Sequence, residues 1–290
     1  MKLKKNVKVI FFIIMLIVIS LISLSFFNHV FDYKLQDSIV EINYNDNPII
    51  KFHASEFNIE VSDYFEKNYE RYISYKKENS DMTDDQIITN VNIGLDNEFY
   101  TNIRSSNLDD GILVLCNKYN QLPKNYVPSL VTMTSKYSTG GSLHPVAYKA
   151  FKEMVDVARS DGIKIYNVSA YRSYWTQHYL YNRYVNRDGI LKADTYSARP
   201  GHSEHQTGLA TDINTASSSA HFENTKEYAW LIENSYKYGF ILRYPKGKEY
   251  ITGYKYEPWH YRYVGIEVAT YIYEHNITFE EYYVKFLEQY

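Results

Sequence analysis

Apolar positions fall along this chain in three regimes. The first is a run from Val9 to Phe27, "VIFFIIMLIVISLISLSFF", 19 residues without a charge. As a helix it would be roughly 28 Å long, close to the hydrocarbon thickness of a bilayer. Four lysines precede it in "MKLKKNVK", so the positive-inside rule leaves residues 1–8 in the cytoplasm and exports the chain beyond the run. The run exceeds the usual core of a signal peptide, and "FFNHVFDYK" offers no small-x-small cleavage site. The expectation is a single-pass transmembrane signal anchor over 9–27, with a cleaved signal peptide as the alternative. No cysteine comes after the run at a lipidation position, which excludes a lipoprotein anchor.

In the second regime, 28–70, polar residues surround the short alternating runs "SIVEINY" and "PIIKFHA", the pattern of a stalk or small accessory hairpin. The third, 71–290, mixes the helical and strand periods. A helical pattern with a charged face runs through "SDYFEKNYERYISYKKENSDMTDDQIITNVN", with a start signal at its Ser-Asp. The clearest helix is "SLHPVAYKAFKEMVDVARSDG", where Val146, Phe151, Met154, Val155 and Ala158 recur on one face and Gly162 closes it. "IKIYNVSAYRS" then alternates like a strand, and "YWTQHYLYNRYVNRDG" predicts a tyrosine-rich helix. "SARPGHSEHQTG" predicts a loop, "LATDI" a strand, "NTKEYAWLIENSYKYGF" a helix ending at Gly239, and "EYITGYKYEPWHYRYVG" closes on strand-like aromatics. Helices and short strands alternate without a regular βαβ period, which makes the fold class α+β.

Composition narrows the function classes. The net charge of -3, from 31 basic and 34 acidic residues, provides no cation excess for a polyphosphate backbone, so no nucleic-acid partner is expected. The 32 tyrosines suit a sugar- or peptide-binding surface and equally a compositional bias. The one cysteine, Cys116, lies in the apolar run "GILVLCN". It excludes an internal disulfide or a cysteine-rich zinc site and is expected to be a buried, inert thiol.

The candidate chemistry begins in "SEHQTGLATDI". Alternation in the strand puts Ala210 and Asp212 on one face and Leu209, Thr211 and Ile213 on the other. A carboxylate on a central strand is costly to bury unless it is paired or binds a metal. His205 precedes the strand, and a turn at Gly208 could fold it back towards Asp212. A third ligand lies 48 residues beyond Asp212, in "EPWHYR": His260, with Glu257 three positions before it. Pro258 disfavours the α conformation for Glu257, so this E-x-x-H is extended. Two histidines and a carboxylate leave a tetrahedral zinc one open position, the pattern of a catalytic site. Glu257 would then be the general base for an attacking water. Arg172, at the end of a strand in "SAYRSY", would stabilise an oxyanion. Each residue also has a plainer reading: loop polarity for His205, a cap for Asp212, an aromatic core fragment for "PWH" and a surface ion pair for Arg172. His202 and His221 are expected outside the ligand set. Glu204 could orient its neighbour, although an exposed carboxylate is the simpler reading.

"SEHQTGLATD" follows the pattern S-x-H-x-x-G-x-A-x-D and, with "YEPWHYRYVG" and "SAYRSYWTQ", resembles the zinc D-alanyl-D-alanine carboxypeptidases of the VanY type. These belong to a wider group with the D-Ala-D-Ala dipeptidases and the hedgehog-like peptidase fold. The likeness extends through "LVLCNKYNQLPKNYVPSLV" and "GFILRYPKGK", covering roughly 105–267. It implies a small antiparallel sheet with flanking helices, one zinc ion on His205, Asp212 and His260, Glu257 as base and Arg172 at the tetrahedral intermediate. It also implies that Ser203, Gln177 and Arg199 position the substrate near its terminal carboxylate. The expected activity is removal of the C-terminal D-alanine from peptidoglycan stem peptides by a membrane-anchored enzyme with an extracytoplasmic catalytic domain. The alternatives are an L,D-carboxypeptidase trimming tetrapeptide stems, a D,D-dipeptidase, which the anchor disfavours, and a non-catalytic wall-binding module on the same fold.

Overall fold

The computed structural model describes residues 65–288. The expected anchor at 9–27 and nearly all of the 28–70 segment lie outside them. Among the described residues no helix is long and apolar enough to cross a membrane.

The long helical pattern near the start is two helices, α1 (Tyr69–Glu78) and α2 (Asp84–Ile93). Periodicity across "NSDMT" hides the break, and the capping chemistry accounts for it. Thr83 accepts from the Gln86 amide while the Gln86 side chain accepts from the Thr83 N–H, a capping box that starts a new helix. Gly94, left-handed at φ 107°, ends it. The pair is pinned by the Arg71–Asp96 fork, at 2.6 and 2.7 Å.

Helix α3 (Pro145–Ser160) begins on a proline, which fits the first turn because its missing N–H has no partner there. Its buried stripe is Ala147, Phe151, Met154, Val155 and Ala158. Val146 is 42% exposed, so Ala147 takes the inward place expected of it. Strand β1 (Tyr166–Ser169) follows, then α4 (Tyr174–Asp188), capped by the Ser173 hydroxyl. The other elements around the site are β2 (Ala210–Asn214), α5 (Lys226–Asn234), β3 (Phe240–Leu242), β4 (His260–Tyr263), α6 (Ile266–His275) and α7 (Phe279–Phe286). These four strands form one antiparallel sheet in the order β1-β2-β4-β3, and two separate two-stranded pairs, Arg104–Ser105 with Asn120–Gln121 and Val131–Thr132 with Ser142–Leu143, accompany it in the α+β fold.

The sheet separates two environments. Ile213, Phe240 and Tyr261 pack with Phe151, Met154 and Val155 of α3 in the main core. Burying one such large side chain contributes about 1.5–3 kcal/mol. A second cluster joins Ile241 to Val268, Ala269, Ile272 and Phe279 of α6 and α7. On β2 and β4 the register sets Asp212 directly opposite His260. Side chains at opposed positions of an antiparallel pair have Cβ atoms about 4.5–5.5 Å apart. The pairing therefore brings together two residues that lie 48 apart in sequence.

Candidate active site

His205 reaches Asp212 from a single 3-10 turn, Glu204–Thr207, inside the expected loop. Gly208 closes that turn in the left-handed region at φ 69°. A Cβ there would stand 3.0 Å from Leu130 and 3.2 Å from the His144 amide nitrogen, so glycine serves both conformation and clearance. The His205 ring is oriented by its Nδ1, 2.7 Å from the Ala170 carbonyl. A carbonyl only accepts, so Nδ1 carries the proton and the Nε2 lone pair is free. That Nε2 lies 3.5 Å from Asp212 Oδ1. His260 Nδ1 approaches the same oxygen at 3.2 Å, and the two imidazoles meet edge to face at 4.9 Å.

His205, Asp212 and His260 can each offer a ligand atom within 4.8 Å of the others. Asp212 Oδ1 is buried and has no hydrogen-bond partner among the described residues. A buried carboxylate oxygen in that state is costly, and a cation between it and the two ring nitrogens would satisfy it. The donor set of two imidazole nitrogens and one carboxylate oxygen therefore fits a zinc ion. The same contacts set the acidities of the group. Burial opposes ionisation of Asp212, but His205 and His260 hold its carboxyl well below the usual range. Burial alone would lower His260; its contacts with Asp212 and Glu204 reverse this, to about 9.

Glu257 enters from the turn before β4, where the His260 N–H donates to the Glu257 carbonyl at 3.2 Å. The E-x-x-H is a hydrogen-bonded turn and not the extended segment expected of it, although it is still non-helical, in keeping with the bias of Pro258 against the α conformation at Glu257. The Glu257 carboxylate stands 3.8 Å from His260 Nδ1, and desolvation by burial pushes its pKa up to about 7. Arg172 comes after β1, its N–H bonded to the His205 carbonyl. Its guanidinium donates to Gln177 Oε1 at 2.7 Å and to Ser169 Oγ at 3.3 Å. Gln177 is buried on α4 and anchored on the Ala198 carbonyl at 2.6 Å, so it holds Arg172 while also lining the site.

These side chains border one cavity of about 360 Å³ that also takes in Ser203. Tyr184, Tyr196, Tyr244, Tyr254 and Trp259 complete its wall. Sequence reasoning missed these aromatics because tyrosine is common everywhere in the chain. Arg199 does not line the cavity: its guanidinium pairs with Asp194 at 2.8 Å and lies over the Tyr100 ring. His202 is buried away from the ligands, bonded to the Asn117 carbonyl, and His221 is exposed, both outside the ligand set as expected. Cys116 is a buried free thiol. Glu204 corrects the simpler expectation of an exposed carboxylate, since the residue is only 1% accessible. Its partners are Arg243 and Arg262, and the signal that could have found them was an arginine in the middle of each strand-like run, "FILRY" and "HYRYV".

Residues 140–266 match the family model of VanY, D-alanyl-D-alanine carboxypeptidase. YodJ of Bacillus subtilis (strain 168), named as a carboxypeptidase, is 44% identical over 186 residues, which are 61% of this chain and 68% of that protein. The chain belongs to the VanY family. Among solved structures, the LdcB LD-carboxypeptidase matches this VanY-family chain with a TM-score of 0.59 and 40% identity, over 65% of this chain and 94% of that one. The vancomycin resistance D,D-pentapeptidase VanY, solved in complex with Zn(II), matches at 0.53 and 38% identity, over 59% and 97%. The VanY-family match spans β1, β2, β3 and β4, the strands on which the site is built.

Proposed function

We propose that this chain is a zinc-dependent D-alanyl-D-alanine carboxypeptidase that removes the terminal D-alanine from peptidoglycan stem peptides. The observation that carries the reading is the convergence of His205 Nε2, Asp212 Oδ1 and His260 Nδ1 beside Glu257, in a chain of the VanY family. A zinc ion held by those three side chains would polarise the scissile carbonyl and make water acidic enough to attack near neutral pH.

Glu257 is the general base. Its buried carboxylate takes a proton as the water oxygen bonds to the carbonyl carbon, then delivers it to the D-alanine nitrogen as the C–N bond breaks. A carboxyl pKa raised by burial makes it a better proton acceptor than an exposed glutamate. Arg172 provides positive charge for the developing oxyanion, and its bonds to Gln177 and Ser169 fix it before substrate arrives. Ser203 and Gln177 border the cavity where the terminal carboxylate of the peptide would lie. Arg199 serves at most indirectly, through Asp194.

The proposed location is the outer face of the cell membrane, with residues 9–27 as a single-pass anchor and the catalytic domain towards the wall. The uncharged run after four lysines supports it. The L,D-carboxypeptidase reading is kept because of the likeness to LdcB. To test both, the purified 65–290 region is incubated with a muropeptide ending in D-Ala-D-Ala and one ending in a single D-Ala, with and without chelator, and the products are weighed. Loss of one alanine from the first substrate only, abolished by chelator, is the expected result. Cleavage of the second substrate only would establish the L,D activity instead, and cleavage of neither would leave a wall-binding module.

A further inference from the structure

Beneath His260 four charged side chains are packed out of water, and of these Glu204 also borders the cavity. Glu204, Arg243 and Arg262 have fully buried side chains, and that of Glu280 is 1% exposed. Two carboxylates and two guanidinium groups sum to zero. Glu280, on α7, holds Arg243 through a two-pronged contact of 2.6 and 2.8 Å. Arg243 Nε and Arg262 Nη1 both donate to one oxygen of Glu204, Oε1, at 2.8 and 3.0 Å. Arg262 spends its other donors on the carbonyls of Ile112, Val114 and Tyr263. The Phe279 ring lies under both guanidinium groups, at 5.6 and 5.3 Å.

Both arginines are thus committed to Oε1, which leaves Glu204 Oε2 facing His260 Nε2 at 3.5 Å. Each of these two buried atoms lacks any other partner among the described residues. A proton on Nε2 aimed at Oε2 satisfies both atoms at once, and of the two neutral tautomers, the forms that can bind a metal, only this one does so. It also leaves Nδ1 with its lone pair, and Nδ1 is the nitrogen turned towards Asp212 and Glu257.

We propose that Glu204 is a positioning residue of the metal centre: it fixes the His260 tautomer and ring plane through Nε2–H, and Arg243, Arg262 and Glu280 hold Glu204 in register. On this inference, which rests on the metallopeptidase reading, α7 belongs to the catalytic unit although it contributes nothing to the cavity wall. Metal-binding histidines depend on such a partner at the far nitrogen, and its loss costs about 10- to 100-fold in metal affinity.

The test is Glu204→Gln, with zinc affinity measured by competition against a chromophoric chelator. With its oxygen kept on the two arginines, the glutamine turns its NH₂ towards His260 Nε2, which forces the proton to Nδ1 and removes the ligand lone pair. The expected result is a loss of about 10- to 100-fold in zinc affinity, with the thermal unfolding of the metal-free protein still cooperative. In the wild-type zinc-loaded protein, long-range proton–nitrogen NMR should place the His260 proton on Nε2. Zinc affinity within twofold of wild type, or a proton found on Nδ1, overturns the proposal. Should Glu204→Gln fail to fold, Glu280→Gln decides, because it touches neither His260 nor the cavity: a severalfold loss of zinc affinity supports the coupling, and none overturns it. A wild-type protein that binds no zinc would instead remove the functional reading beneath it.

Discussion

The two faces of the central sheet both bury large side chains and are satisfied in opposite ways. Towards α3, Ile213, Phe240 and Tyr261 bury apolar surface against Phe151, Met154 and Val155. On the other face, β2 and β4 present Asp212, His260 and Arg262 to one another and to Glu204. The first face tolerates changes that conserve volume, since dispersion and burial are non-directional. The second tolerates almost none. A buried charge without its partner is penalised by several kcal/mol, and the charged groups there stand at defined distances from one another. Burial alone therefore does not distinguish scaffold from site; the means of satisfaction does.

Three substitutions would break or sharpen that contrast. His205→Ala has the largest expected effect, abolishing zinc binding and turnover together because it removes one of three ligands. Elemental analysis giving one zinc per chain in that variant would show the ligand set to be wrong. Glu257→Ala should keep stoichiometric zinc yet lose at least about 100-fold in kcat; an active variant would exclude Glu257 as the base. On the opposite face, Phe151→Ala should cost about 3–5 kcal/mol of stability, read as a lower melting temperature. The molecules that remain folded should bind zinc as tightly as wild type. Weakened zinc binding in the folded fraction would mean the two faces are not separable.

Local pattern made much of this legible. The apolar stripe of α3 and its closing Gly162, the strands β1 and β2, and the non-helical E-x-x-H around Pro258 all arise from neighbours within a few residues. Where local signals compete, the pattern does not decide the structure. The helical period continues across "NSDMT", and only the Thr83–Gln86 capping box decides that α1 ends and α2 begins. Val146 and Ala147 both suit an inward position, and packing with Val114, Cys116, Leu122 and Leu209 selects Ala147. Arg199 lay within the motif region but found Asp194, five residues away, before it could reach the cavity.

By itself the sequence determined the kinds of chemistry available: two histidines, an aspartate and a glutamate in motifs that permit a metal and a base, on short strands between helices. It determined these because side-chain type and local period are encoded within a turn or two of chain. Only the tertiary structure decided that Asp212 stands opposite His260 and that Glu204 lies beneath the site rather than in water. Those facts depend on strand register and on partners 37 to 58 residues apart. Such pairings are fixed when the whole sheet closes and every buried charge must find its counterpart at once.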